Sequence, residues 1–541
     1  MQMFCFQCQE TKHGRGCTSG GACGKSEETA NYQDLLIYVL KGIALKAAPR
    51  FDRGEALDHD VAEFLYLALF ATITNTNFDT ARIADLIRQG LAFKRRLGPA
   101  SASPGPAAWD TEDPDEIRAQ AYTVGVLTTR DEQVRSLRET LVYAAKGLAA
   151  YAHHAATLGY YDPAVTQSLV GTLAGAAVET APDRLFALAL DTGQNTLRTM
   201  DLLDAANAAT FGTPGQVRFP LGVGTRPGIL VSGHDLKDMA ELLDQTVGAG
   251  LDIYTHGEMI SAHSYPRLRR HPHLFGNYGN SWWRQDVEFA AFNGPILMTS
   301  NCIIPVVDAY ARRIFTTGVA GYPGVPHIQR LRPDGQKDFS DLIALAQRSP
   351  PPTPIESGTM TGGYCFPQLV AMAEPLLKLV QAGRIRRFIV MGGCDGRDRL
   401  RDYYRQVALR LPKDTVILTA GCTKYMFCKL PLGEIAGIPR VLDAGQCNDC
   451  NSLIRFAVRL KEVLGLSDIN ALPISYDLAW YDQKAVAIFL ALLSLGVRRI
   501  RLGPTLPAFL SPQVVSALAE GFEVKPIADA ASDVDAMLRG E

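Results

Sequence analysis

The sequence predicts a multidomain α and α/β protein, with an N-terminal helical domain followed by two Rossmann-like α/β domains. Three observations predict it. Apolar residues recur at helical spacing through roughly the first 210 residues. After Pro214 the pattern changes to short apolar runs, each closing on small residues and separated by helical segments. The stretch Ser349-Pro350-Pro351-Pro352-Thr353-Pro354 then divides the α/β part in two. The expected domains are 1–215, 216–352 and 353–541. A chain of 541 residues leads one to expect three or four domains at about 150 residues each.

In the helical part, Leu35, Leu36, Val39, Leu40, Ile43 and Ala44 form one stripe. Val61, Phe64, Leu65, Ala68 and Leu69 form another. Asp79 is placed to cap a helix running to about Leu97. The segment Pro99 to Asp115, rich in Pro, Ala, Ser and acid, reads as a surface loop. Helical pattern resumes from Arg130 to about Ala156 and from Asp183 to Ala209. Two bundles are the simplest packing for these segments.

The α/β part offers six strand-like runs. They are Ile229 to Gly233, Asp252 to Gly257, Ile296 to Asn301, Phe388 to Gly393, Val416 to Gly421 and Val441 to Gln446. Just past them come, in order, His234, Glu258, Cys302, Cys394, Cys422 and Cys447. In open α/β sheets the carboxyl ends of the strands form the ligand crevice. Any one of these residues alone reads as packing, a cap or a turn. Together they predict a metal site spanning both α/β domains. Three or more thiolates favour iron–sulfur or zinc. A histidine and a carboxylate in addition exceed the four positions of a structural zinc, so a polynuclear iron centre with mixed ligands fits better.

A second constellation, Cys5-x2-Cys8-x8-Cys17-x5-Cys23, opens the chain, with Gly14, Gly16, Gly20 and Gly21 between the cysteines. Glycines let backbone N–H groups approach a sulfide-rich cluster. The spacing favours iron–sulfur over a zinc knuckle, which uses two separated Cys-x2-Cys pairs.

Composition excludes several classes. Hydrophobic residues make up 47% and charged residues 20%, so the chain is neither disordered nor fibrous. A net charge of −2 gives no bulk pull toward nucleic acid or anionic membrane. The apolar stretch Ala485 to Val497 is too short for a bilayer core of about 30 Å. The start Met1-Gln2-Met3-Phe4-Cys5 lacks a secretory pattern, so a cytoplasmic protein is expected. Its 11 cysteines, an odd count, do not read as a disulfide framework.

Longer motifs surround these residues: Cys5-Phe6-Gln7-Cys8-Gln9-Glu10-Thr11, Ser232-Gly233-His234-Asp235 and Thr255-His256-Gly257-Glu258-Met259. Thr299-Ser300-Asn301-Cys302, Gly392-Gly393-Cys394-Asp395-Gly396 and Gly421-Cys422-Thr423-Lys424-Tyr425 follow. Gly445-Gln446-Cys447-Asn448-Asp449, Gln483-Lys484-Ala485-Val486 and Leu502-Gly503-Pro504-Thr505-Leu506-Pro507 complete the set. Nearly end to end, the chain resembles the hybrid cluster protein family, also called prismane protein or hydroxylamine reductase.

The resemblance implies a helical domain of two three-helix bundles and two Rossmann-like domains. It implies that Cys5, Cys8, Cys17 and Cys23 hold a [4Fe-4S] cluster, as in the subgroup with short cysteine spacing. His234, Glu258, Cys302, Cys394, Cys422 and Cys447 would hold a hybrid [4Fe-2O-2S] cluster at the domain interface, with a persulfide on Cys394. The family's seventh ligand is a glutamate in Trp-x-Glu-Gln-Lys. Here the stretch is Trp480-Tyr481-Asp482-Gln483-Lys484, and Asp is shorter by one methylene, roughly 1.5 Å of reach. Asp482 then ligates by a shift of its helix or through a water, or else leaves that iron more open. Lys484 resembles a family lysine near the cluster and is a candidate proton donor, with Glu258 and His234 as further catalytic candidates.

The implied activity is reduction of hydroxylamine to ammonia and water, or of nitric oxide to nitrous oxide, in protection against nitrosative stress. The substrate is a small nitrogen oxide. The electron donor would be a separate ferredoxin-like or flavin/iron–sulfur reductase, since no G-x-G-x-x-G follows a strand here. Other readings are a carbon monoxide dehydrogenase relative, a nitric oxide sensor or protein S-nitrosylating factor, and a zinc-stabilised protein with no redox role. Cys365, Cys428 and Cys450 read as small buried side chains. His263, His271 and His273 read as surface and turn residues, and His256 as a support for the site.

Overall fold

The computed structural model describes residues 3–98 and 105–541. Residues 99–104 of the expected surface loop lie outside the described residues. The helical part comprises α1 (Glu27–Asp52), α2 (His59–Ala71), α3 (Thr80–Arg96), α4 (Pro114–Ala121), α5 (Glu132–Thr157), α6 (Pro163–Val178) and α7 (Pro182–Phe211). Side-chain caps start several of them. The Asp79 carboxylate accepts from Ala81 N at 3.0 Å and Arg82 N at 3.3 Å, and Asp131 accepts from Val134 N at 2.8 Å.

Two helices had no expected counterpart. In α6, Ala and Gly dilute the apolar residues, so no stripe stands out, yet Val165, Leu169, Leu173 and Ala176 are buried. The short α4 begins at Asp113 and Pro114, inside the acidic, proline-containing segment read as loop.

The strands, in chain order, are β1 (Val217–Pro220), β2 (Gly228–Ser232), β3 (Asp252–His256), β4 (Leu274–Asn277), β5 (Ile296–Met298), β6 (Ile314–Thr317), β7 (His327–Ile328) and β8 (Thr359–Gly362). Then come β9 (Arg387–Gly393), β10 (Thr415–Thr419), β11 (Glu434–Ile435), β12 (Ile438–Pro439), β13 (Val441–Asp443), β14 (Ile474–Ala479), β15 (Ile500–Gly503) and β16 (Lys525–Pro526). One parallel sheet has the order β4-β3-β2-β5-β6-β7 and a second the order β13-β10-β9-β14-β15-β16. β1 and β8 pair antiparallel beside them. Runs such as Ile229-Leu230-Val231 are buried throughout, as strands covered on both faces require.

In each sheet the chain reverses its winding between two central neighbours, β2 and β5 in the first and β9 and β14 in the second. Such a switch point opens a crevice at the carboxyl ends of the strands. Gly393 (φ 112°) and Gly421 (φ 85°) let the crevice of the second sheet close up. A Cβ on Gly393 would strike the Ala479 carbonyl, and one on Gly421 would strike the Gly393 carbonyl. The helix Gln483–Ser494 leaves β14 and packs against α5 and α7, tying the second sheet to the helical part.

Candidate metal centre

The six strand-end residues follow their strands, but only Cys394 directly; the other five strands end one to three residues before the residues that close their runs. His234 and Glu258 are two past β2 and β3, Cys302 four past β5, Cys394 directly after β9, Cys422 three past β10 and Cys447 four past β13. Asp482 follows β14 and caps the helix Gln483–Ser494, its Oδ1 accepting from Lys484 N at 3.0 Å. His234 and Cys302 thus flank one switch point, and Cys394 and Asp482 the other.

The side chains converge. His234 Nε2 is 3.8 Å from Glu258 Oε2, and the ligand atoms of His234, Glu258 and Cys447 lie within 4.8 Å of one another. Glu258 Oε2 accepts from Cys447 N at 2.6 Å. Cys394 Sγ is 3.9 Å from Asp482 Oδ1. Asn301 Nδ2 reaches both Cys302 Sγ at 3.4 Å and Asp482 Oδ2 at 3.2 Å. Cys302 itself sits at φ 81°, an unusual backbone for a residue with a Cβ, with its N–H on the Asn75 carbonyl at 2.8 Å. A turn of the helical part therefore sets that thiol.

Surrounding bonds orient the donors. His234 Nδ1 is 3.0 Å from Ser300 Oγ, which leaves Nε2 facing Glu258. Tyr425 donates to the Gly257 carbonyl at 2.8 Å and steadies the turn that carries Glu258. Tyr151 lies 3.8 Å from Cys447 Sγ.

Electrostatics describe a site short of positive charge. Burial pushes the Cys394 and Cys302 thiols well up, and the Asp482 carboxylate adds to it. Burial and then Glu258 push Cys422 up, and burial raises Cys447 to about 12. Burial also lifts Glu258 and Asp482, against the pull of Lys424 and Lys484 respectively. His234 is held well below its usual range by burial and then by Lys484. Glu258 Oε1 is buried without a hydrogen-bond partner. Bound cations reverse every one of these penalties except that on the neutral imidazole, which is already in its ligating form.

Lys484 is 1% exposed, so it is no solvated helix lysine. Its Nζ donates to Asn301 Oδ1 at 2.7 Å and stands 4.9 Å from the Phe70 ring.

The N-terminal cysteines form a second group. Cys5 and Cys17 pair as an antiparallel bridge, N to O at 3.0 and 2.8 Å. Backbone N–H groups of Lys12 and Ala22 point at Cys17 Sγ, at 3.5 and 3.4 Å. Burial drives Cys8 well up, reinforced by Cys23 and Cys5. Between the two groups, the Trp282 and Tyr481 rings meet at a tilt of 45° with centroids 4.6 Å apart, packed among Cys8, Cys302, Cys394 and Cys422. Gln9 N donates to the Tyr481 carbonyl at 3.1 Å, and Gln483 Nε2 to the Gln7 carbonyl at 2.5 Å.

Other residues fall differently from expectation. His263, His271 and His273 are buried, not surface residues, because neighbouring side chains cover and satisfy them: His263 meets Thr255 and His273 meets Thr246, each at 3.0 Å, and His271 faces Asp244 at 3.4 Å. His256 bonds Ser232 and Glu288, each at 3.0 Å. Cys450 packs on Met200 and Cys365 donates to the Pro214 carbonyl at 3.0 Å. The sequence reading missed Asn301, Tyr481, Trp282 and Arg401. Asn301 and Tyr481 lay inside quoted motifs; nothing local marked Trp282 or Arg401.

Fold and site together define a protein of the carbon monoxide dehydrogenase architecture, with a metal-competent crevice between two parallel sheets. Carbon monoxide dehydrogenase IV of Carboxydothermus hydrogenoformans superposes with a TM-score of 0.59 over 97% of this chain and 89% of its own, at 14% identity. The chain belongs to the Prismane/CO dehydrogenase family, whose model matches residues 3–535. Its relatives include the hydroxylamine reductases of Nitratidesulfovibrio vulgaris (52% identical over 555 residues) and Desulfosudis oleivorans (53% over 549), each matched over 100% of both chains. At such identities it sides with the hybrid cluster proteins; the dehydrogenases share its fold.

Proposed function

We propose that this chain is an iron–sulfur oxidoreductase that reduces hydroxylamine, NH2OH + 2 H⁺ + 2 e⁻ → NH3 + H2O. The observation that carries the reading is the convergence of one imidazole, two carboxylates and four thiols at two facing switch points, in a chain about half identical to named hydroxylamine reductases. Cys5, Cys8, Cys17 and Cys23 would hold a [4Fe-4S] cluster. His234, Glu258, Cys302, Cys394 (as a persulfide), Cys422, Cys447 and Asp482 would hold a hybrid [4Fe-2O-2S] cluster where 1–215, 216–352 and 353–541 meet as domains.

The donors fit those groups. Orphaned Glu258 Oε1 and the raised thiols call for cations. Backbone N–H groups of Lys12 and Ala22 point at Cys17 Sγ, as a sulfide-rich cluster favours.

When loaded, the hybrid centre supplies electrons and Lewis-acidic positions for the substrate. The chain does the rest. Asn301 holds the Lys484 ammonium inside the crevice, from which it can deliver a proton to a departing oxygen or nitrogen. Glu258 and His234 fix the opposite wall. Trp282 and Tyr481 exclude water between the two cysteine groups. No helix among the described residues is long and apolar enough to cross a membrane. We place the protein in the cytoplasm, served by a separate ferredoxin-like or flavin/iron–sulfur donor.

Reduction of nitric oxide to nitrous oxide is a second reading, favoured by one feature. An apolar cavity of about 70 Å³ reaches Cys394 and Cys447 from the side of Leu453, Ile454 and Ile488, a path suited to an uncharged diatomic gas.

Anaerobic iron and sulfide analysis with EPR, followed by turnover of hydroxylamine against a reduced donor, tests the proposal. Two distinct centres and sustained ammonia release are expected. One cubane signal without turnover would refute it. A single modification by nitric oxide that then stops would favour a sensor.

A further inference from the structure

Arg401 is 1% exposed and its guanidinium touches only neutral acceptors. Nη1 donates to the Cys394 carbonyl at 3.1 Å. Nη2 donates to Gln9 Oε1 and to the Trp480 carbonyl, both at 2.8 Å. Nε has no partner, and the guanidinium stands 6.0 Å from the centre of the Tyr481 ring. Gly396 makes room for it, since a Cβ there would come within 2.8 Å of Nε. Two carboxylates stand nearby but are engaged elsewhere: Asp395 by Ser281 and by Trp283 Nε1 at 2.8 Å, and Glu10, whose Oε1 would lie 2.9 Å from the same Gly396 Cβ, by the Arg397 N–H.

A guanidinium sealed from water without a carboxylate partner is costly. One arm holds Cys394 itself, and the other holds both the residue after Cys8 and the strand end that leads to Asp482. Metal-bound thiolates on both sides would add to the negative charge that Asp395 and Glu10 bring nearby without bonding it.

We propose that Arg401 is a positioning residue shared by the two cysteine sites, whose buried charge raises the reduction potential of both. This rests on the reading that both sites hold iron–sulfur clusters. Each reduction adds negative charge, and a cation held in a low-dielectric interior stabilises the reduced form more than the oxidised one.

The test is a potentiometric titration followed by EPR on the loaded wild type, Arg401→Gln and Arg401→Lys. The glutamine variant keeps a donor but loses the charge; both its midpoint potentials should move negative. The lysine variant keeps the charge and loses the fork; it should load both clusters and titrate near wild type. Wild-type midpoints in R401Q overturn the proposal. So do displaced midpoints in R401K, whether or not the glutamine variant can be loaded. If R401Q fails to load while R401K loads and titrates as wild type, the requirement for positive charge stands. Iron and sulfide content of the wild type is measured alongside, so that absence of either cluster is recognised as failure of the underlying reading.

Discussion

The carboxylate of Asp482 stands 3.9 Å from the sulfur of Cys394, although the two residues leave different strands and are 88 positions apart. The acid caps the start of its helix, where Oδ1 also accepts the Lys484 N–H and Oδ2 the Asn301 amide. Asp482→Ala should therefore act twice. It should remove the hybrid signals while sparing the N-terminal cubane, and cost about 1 kcal/mol of helix capping. Metal analysis with EPR reads the first effect and denaturant unfolding the second. Unchanged hybrid signals in this variant would remove Asp482 from the ligand set.

Lys484 is poised by one strong contact, Nζ to Asn301 Oδ1 at 2.7 Å. Lys484→Met should leave the iron content intact and lower kcat for hydroxylamine by roughly 10²-fold or more, the range for a lost general acid. Asn301→Ala, which frees the ammonium, should give a smaller loss. Equal kcat in wild type and Lys484→Met would assign the proton to another group.

The apolar cavity beside Cys394 and Cys447 gives a test that separates the two substrates. Ile454→Trp, at the cavity wall away from the donors, should slow nitric oxide consumption several-fold and leave hydroxylamine turnover unchanged. Overpacking there should cost about 1–3 kcal/mol of stability. Parallel loss of both activities would show that the cavity is not a separate path.

Asp477, wholly buried on β14, is pushed up to about 8 by burial, with Asp533 adding to it. Its folded-state pKa exceeds the ordinary value. Its contribution to stability is thus full below about pH 4 and is lost as pH rises toward 8. Asp477→Asn should therefore gain stability relative to wild type between pH 5 and 9. Thermal melts across that range check it, and a constant difference would be the contrary result.

Much of this was legible in the chain. Asp79 caps its helix as its position suggested, and the six strand-end residues follow their strands as the runs implied. Strand ends are local features, written in apolar runs and small residues. The helix α6 was not legible, because Ala and Gly leave its buried face unmarked. Nor were the buried histidines: His263 and His273 are polar residues satisfied by threonines, His263 by one eight positions back and His273 by one 27 back.

By itself the sequence determined which residue types stand at the carboxyl ends of which strands, and so the chemistry they can hold. Only the tertiary structure decided that His234, Glu258 and Cys447 meet, that Asp482 comes up to Cys394, that Lys484 faces inward, and that Arg401 is sealed between the cysteine groups. The reason is physical. A donor's identity and its distance from a strand end are fixed by a few neighbouring residues. Its distance from a donor on another sheet depends on how the two sheets and α5 and α7 pack, a sum of weak apolar contacts spread over the whole chain.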